Sequence, residues 1–223
     1  MNSFIWIIVS YLLGSIPCGY IISKISGKNV FEIGWRKSSG SNVFRNVGKL
    51  QGILTGVLDL TKGFLAVWLA KKIGFSPQIQ VLSGVAAVTG NNWSVFLKMA
   101  GGRGIGTFVG VLLALSPKIL GISIIVPLIV ALIWNASIGT ILLLLLLIFF
   151  SFYYNRFETV GFLTLLSLFP IFFKRLSPIK ELKEGKNKKD LIVNRLIFDD
   201  DYPYLELRIK RILEKRSWFE KKG

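Results

Sequence analysis

Across its first 173 residues the chain carries only three carboxylates, Glu32, Asp59 and Glu158, set among seven apolar runs. The runs cover 2–22, 52–71, 79–97, 104–117, 119–135, 137–154 and 157–173. A helix crossing the hydrocarbon layer needs roughly 20 apolar residues, because the layer is about 30 Å thick and each residue rises about 1.5 Å. The chain as a whole is 52% apolar, above the roughly 45–50% of soluble domains. These features predict an all-α, polytopic transmembrane helical bundle of about seven spans. The fourth and fifth runs are short and meet at Ser116, Pro117 and Lys118, so they read as short spans, half-helices or one re-entrant element. The first run lacks a basic leader and a small-residue cleavage site, so it reads as a retained span.

Charge divides the chain at about residue 173. Residues 1–173 hold 13 basic and 3 acidic side chains, and residues 174–223 hold 15 and 9. The expected domains are therefore a membrane body over 1–173 and a basic, partly helical cytoplasmic tail over 174–223. In the tail, 180–189 reads as a charged linker. Asp199, Asp200 and Asp201 read as a helix start, because acids favour that end of the helix dipole. Ile209, Ile212, Leu213 and Phe219 then form an apolar stripe among cations, suited to an anionic bilayer surface or to a plain solvated helix.

Lys24, Lys28, Arg36, Lys37, Arg45 and Lys49 crowd the first polar loop, and Lys98 and Arg103 the second. Basic loops stay in the cytoplasm. Seven crossings satisfy both loops and the tail if the N-terminus is outside, in a multi-pass protein of the cell membrane. Lys71, Lys72 and Arg156 are the exceptions. The net charge of +16 then points to anionic lipid as partner rather than to nucleic acid. The sequence has no histidine and a single cysteine, Cys18. That excludes histidine triads, multi-cysteine metal sites and an intramolecular disulfide. No metal or cofactor is expected.

Two polar loops are candidates for chemistry. In the first, Ser38, Ser39, Ser41 and Asn42 sit beside Arg45, whose fork suits two phosphate oxygens; an ordinary basic linker is the plainer alternative. In the second, Gly101, Gly102, Arg103 and Gly104 form a glycine-rich turn opening a helix, a place where free amides meet anions. It is not a nucleotide P-loop, since no Gly-Lys-Ser/Thr ends it. Gly48, Gly52 and Gly56 echo Gly102, Gly106 and Gly110 in spacing, either as a parallel duplication or as repeated use of a small-residue packing motif. Asp59 and Lys62, three apart on one helix face, form either a neutralising pair or a functional one.

Taken in order, these residues resemble the membrane-embedded, acyl-phosphate-dependent glycerol-3-phosphate acyltransferases of bacteria. The resemblance runs through Leu13, Gly14, Ser15, Ile16 and Pro17, then Ser41, Asn42, Arg45, Gly48 and Gly52, then Asp59, Lys62 and Gly63, then Gly90, Phe96, Gly101, Gly102, Arg103 and Thr107. It covers roughly 8–120. Asn91 stands where the family has histidine and Arg103 where it has lysine. The family's third motif, after the last span, has no clear counterpart; Lys174, Arg175 and Gly185 fall near its frame. The resemblance implies acyl transfer from acyl phosphate to glycerol 3-phosphate, giving lysophosphatidate. It implies a site in which Ser41, Asn42 and Asn91 orient the hydroxyl or hold the oxyanion. Ser38, Ser39, Arg45, Asp59, Lys62, Gly101, Gly102, Arg103, Gly104 and Thr107 would bind or support the two substrates. The alternatives are a catalytically degenerate relative that binds or moves anionic lipid, and a transferase with a different acceptor.

Overall fold

The computed structural model describes residues 2–177 and 188–200, and every regular element among them is helical. The first apolar run forms α1 (Ser3–Ser15) and α2 (Cys18–Ile25). A short helix α3 (Gly40–Asn46) follows, then α4 (Lys49–Ile73), α5 (Pro77–Asn92), α6 (Ile105–Leu115), α7 (Pro117–Ile133) and α8 (Ala136–Tyr153). One π-helical turn, Phe157–Gly161, leads into α9 (Phe162–Arg175), and α10 spans Lys188–Phe198. Four segments are long and apolar enough to cross a membrane: Ser3–Ile25, Lys49–Ile73, Ala136–Tyr153 and Phe157–Arg175. Between them, α6 and α7 are shorter apolar helices, as the fourth and fifth runs predict. The third run is cut short, because α5 stops at Asn92 and a 3₁₀ turn, Val95–Leu97, takes its place.

Local chemistry explains the boundaries. Pro17 offers no N–H and breaks the first run at Ile16. The carbonyls bared there are taken up elsewhere: Ser94 Oγ donates to Ser15 O at 2.6 Å and Lys62 Nζ to Ile16 O at 3.0 Å. Gly74 ends α4 in the left-handed conformation (φ +89°), returning its neighbour's N–H to Ala70. Ser116 is extended, and Pro117 opens α7 at the first helical position, so α6 and α7 are separate helices. Asn135 caps α8 by accepting from Ser137 N at 2.7 Å.

Within lipid, helices gain little from apolar burial alone and associate by close packing of small residues. The glycines do this here. A methyl group added at Gly14 would collide with the Ala87 carbonyl, joining α1 to α5. Methyls at Gly63 and Gly110 would strike the Thr107 and Leu60 carbonyls. Helix α4 therefore lies directly on α6, mainly through Asp59, Leu60 and Gly63; of the first glycine segment, Gly52 packs on Phe44 of α3 and Gly56 nears Gly106 through its carbonyl. Phe108 and Leu112 of α6, Leu147 of α8, and Leu163 and Ile171 of α9 fill the centre. The outer face is apolar: Leu132 is 78% and Ile133 80% exposed, as expected of a lipid-facing belt.

Asp199 and Asp200 directly follow the C-terminal end of α10, and Asp201, with any helix that the three acids would open, lies outside the described residues. The dipole does not favour acids there; they are held by basic and aromatic side chains of the bundle instead. Of the charged linker expected over 180–189, Lys188 and Lys189 instead form the first residues of α10; 180–187 and the stripe of Ile209, Ile212, Leu213 and Phe219 lie outside the described residues.

Candidate active site

The three basic segments meet at one end of the bundle. Ser38 N donates to Gly101 O at 3.2 Å, joining the first polar loop to the second, and Lys37 pairs with Asp199 of the tail at 3.0 Å. The loop before α3 is organised by Asn42. Its amide donates to the carbonyls of Val30, Ile33 and Lys37 at 3.2, 3.2 and 2.9 Å. Its oxygen accepts from Trp35 N at 3.1 Å and Asn46 Nδ2 at 2.8 Å. Three acceptors and two donors use up the amide's capacity. One fully buried side chain thus ties down the backbone around Trp35 and Lys37.

Trp35 in turn gathers cations. The Arg45 guanidinium lies 4.9 Å and that of Arg103 4.5 Å from the centre of its ring, the arrangement in which a ring quadrupole attracts a cation. Both arginines line a cavity of about 550 Å³. Its polar lining includes Ser39, Ser41, Arg45, Arg103, Arg175 and Asp199. Its apolar wall comes from Ile53, Ala131, Leu132 and Ile171, with Gly52, Gly56 and Gly106 giving it depth. Arg103 enters from the loop before α6, where Gly104 (φ +77°) makes the turn into the helix. Ser137 Oγ, buried and with no hydrogen-bond partner among the described residues, belongs to a residue that also lines this cavity.

Deeper in, Lys62 directs its three protons to three acceptors: the Asp59 carboxylate at 2.8 Å, Asn91 Oδ1 at 2.6 Å and Ile16 O at 3.0 Å. This knot joins α4 to α5 and to the break between α1 and α2. Asn91 also uses its carbonyl to accept from Gly102 N at 2.9 Å.

The expected site residues separate accordingly. Ser39, Ser41, Arg45, Asp59, Arg103 and Gly104 share the cavity. Asn42 and Asn91, expected to touch the reacting groups, have their side chains turned into the loop and onto Lys62, because those partners need them more than solvent does. Ser38, Lys62, Gly101, Gly102 and Thr107 stand behind the lining. The Gly102 amide, expected to face an anion, is already bonded to α5, and Thr107 is wholly buried against α4. Lys37, Trp35, Arg175, Ser137 and Asp199 were not singled out as site residues by the sequence. Arg175 had a visible signal, a cation at the end of an apolar run; Asp199 had none, because only the fold of the tail brings it in.

Lys37 is buried, and burial pushes its ammonium below the ordinary lysine range; Arg103 and Arg195 push the same way, and Asp199 pulls back. Lys174 also faces it. An ammonium with a lowered pKa is charged below that value and neutral above it. Affinity for inorganic phosphate is therefore expected to fall on the alkaline side before free lysine would titrate. Titration calorimetry across pH checks this, with Lys37→Met flattening the limb. An identical profile in the two proteins would remove Lys37 from phosphate binding.

A family model described as glycerol-3-phosphate acyltransferase matches residues 4–185. The glycerol-3-phosphate acyltransferase of Trichlorobacter lovleyi is 36% identical over 185 residues, covering 82% of this chain and 95% of its own length. That of Endomicrobium trichonymphae is 33% identical over 190 residues, with 83% and 94% covered. A crystal structure of PlsY (YgiH), an integral membrane glycerol 3-phosphate acyltransferase, in its glycerol 3-phosphate form aligns with a TM-score of 0.74 and 28% identity, covering 93% of this chain and 98% of that one. Its lysophosphatidic acid form gives 0.71 and 30%, with 83% and 94% covered.

Proposed function

The chain belongs to the glycerol-3-phosphate acyltransferase family, and from that premise we infer that it is a multi-pass membrane enzyme moving an acyl group from acyl phosphate to glycerol 3-phosphate. The products are lysophosphatidate and inorganic phosphate. The observation that carries the reading is the two-sided lining of the cavity. Arg45, Arg103 and Arg175 offer charge for phosphoryl groups, and Ile53, Ala131, Leu132 and Ile171 offer an apolar wall for an acyl chain.

The reaction needs little from the protein beyond placement and charge. The first hydroxyl oxygen of glycerol 3-phosphate attacks the acyl carbonyl carbon. The bond from that carbon to the phosphate oxygen breaks, and its electron pair leaves with phosphate. The hydroxyl proton passes to a phosphoryl oxygen, whose second ionisation lies at about pH 6, so a chain without histidine still has a proton acceptor. Arg45 and Arg103 are assigned to the phosphoryl groups, with Ser39 and Ser41 beside them. Ser137 Oγ and the free amides opening α6 at Ile105 and Gly106 are assigned to the oxyanion. The Lys62 knot, Asn42, Ser38, Gly101, Gly102 and Thr107 support this lining from behind.

The convergence of the basic segments at one end supports a cytoplasmic site, with the N-terminus outside and the chain in the cell membrane. The test is product formation by purified protein given acyl phosphate and glycerol 3-phosphate. Binding of both without lysophosphatidate would instead make the chain a degenerate relative.

A further inference from the structure

Two like charges share one aromatic ring. The guanidiniums of Arg45, on α3, and of Arg103, in the loop before α6, lie over Trp35 at 4.9 and 4.5 Å from the ring centre. The two cations are therefore within about 10 Å of one another, about a Debye length at 0.1 M salt, and they repel. Asp199 offsets that repulsion for Arg103. The ring face, whose quadrupole attracts a cation, offsets it for both. Trp35 is itself held at two points. Its backbone N–H donates to Asn42 Oδ1 at 3.1 Å, and its indole Nε1 donates to a carboxylate oxygen of Asp200 at 3.0 Å. Asp200 comes from beyond the 4–185 stretch that the family model matches, just past α10. That helix is fastened by a reciprocal pair: Arg175 Nη1 donates to Leu196 O at 2.5 Å, and Arg195 Nη1 to Leu176 O at 3.1 Å. The ring stands behind the cradle. Trp35 lines a smaller polar cavity of about 80 Å³, whereas Arg45 and Arg103 line the larger one.

We propose that Trp35 is a positioning residue, whose ring presets Arg45 and Arg103 as a pair for phosphoryl groups before any substrate arrives. The proposal rests on the acyltransferase reading above, which assigns both arginines to those groups. An anion that needs both guanidiniums would otherwise have to gather them against their repulsion and their rotamer freedom. Its apparent affinity falls by the fraction of the protein in which they already stand together. The ring keeps that fraction high. The contact draws on the charge of each arginine and leaves its N–H fork to oxygen acceptors. Trp35 therefore acts through the two cations and touches no reacting atom.

The test is titration calorimetry of the purified protein with inorganic phosphate, beside steady-state kinetics with acyl phosphate and glycerol 3-phosphate. Trp35→Leu keeps apolar bulk and removes the ring face. It is expected to raise Kd for phosphate about tenfold, the scale of a partly desolvated cation–π contact, and to raise KM for glycerol 3-phosphate in step. Trp35→Phe keeps a face without the indole N–H. Its Kd is expected to lie nearer to wild type than to Trp35→Leu on a logarithmic scale. Unchanged phosphate affinity in Trp35→Leu would overturn the proposal. So would a Phe protein as weak as the Leu one, since the bond to Asp200 would then be what counts. Where the Leu protein does not fold, fluorinated tryptophans placed at position 35 decide. Fluorine thins the electron density of the face and changes its size little, so Kd must climb with each fluorine added. A flat series refutes the idea, because a merely structural ring would not respond. Calorimetry needs no turnover. A protein with the graded phosphate affinity and no lysophosphatidate product would defeat the acyltransferase reading and uphold this one; acyl transfer with a flat series would do the reverse.

Discussion

Arg103→Ala is expected to lower kcat/KM for glycerol 3-phosphate acylation by about two to three orders of magnitude, the effect of truncating a desolvated, hydrogen-bonded charge worth about 2–5 kcal/mol. Arg103 lines the cavity, lies against the Trp35 ring and pairs with Asp199. Removing it takes a cation from the phosphoryl position and leaves Asp199 with Lys37 as its ion-pair partner among the described residues, adding repulsion where attraction was needed. Arg103→Lys is expected to keep part of the activity, because lysine supplies the charge without the fork. Steady-state kinetics on both variants checks this. Acyl transfer by the alanine protein within twofold of wild type would defeat the assignment.

The second large effect is on stability. Lys62→Met is expected to cost about 3–5 kcal/mol, the range for breaking a buried ion pair from one side. Asp59 is left buried without its partner, and Asn91 Oδ1 and the Ile16 carbonyl lose their donor at the break in the first helix. In a chain of this size that corresponds to a fall in the thermal midpoint on the order of 10 °C. Adding Asp59→Asn should recover part of the loss by removing the stranded charge. Thermal unfolding of the purified protein in detergent measures both. A double variant no more stable than Lys62→Met would show that Asp59 is not the source of the penalty.

The helical bundle was legible because apolar runs of membrane length leave few other folds, and so was the junction at Ser116 and Pro117; the break at Pro17 fell inside a run read as one span over 2–22, although it too follows from a missing N–H group. The repeated glycine spacing did not foretell the contact, in which α6 meets α4 mainly at Asp59, Leu60 and Gly63, because spacing along a helix does not name its neighbour. Arg45 and Arg103 stood out as cations within polar, glycine-bearing loops. Asn42 and Asn91 looked equally chemical, since an amide's type does not reveal which way it turns. Their neighbours' unmet carbonyls and ammonium protons decide that, and those belong to the folded chain. Asp199 was hidden for a different reason. Its partners lie 162 and 96 positions earlier in the sequence, and its own surroundings suggested the start of a helix.

The five hydrogen bonds of Asn42 have a consequence for any scan of this protein. Replacing it would slacken the segment that carries Trp35 and Lys37, and turnover would drop as though a reacting group had been deleted. Yet no atom of Asn42 borders either hollow. Loss of rate at that position therefore measures how stiffly the scaffold presents its tools, and the same reservation attaches to every amide whose silence in the chemistry is matched by its industry in the loop.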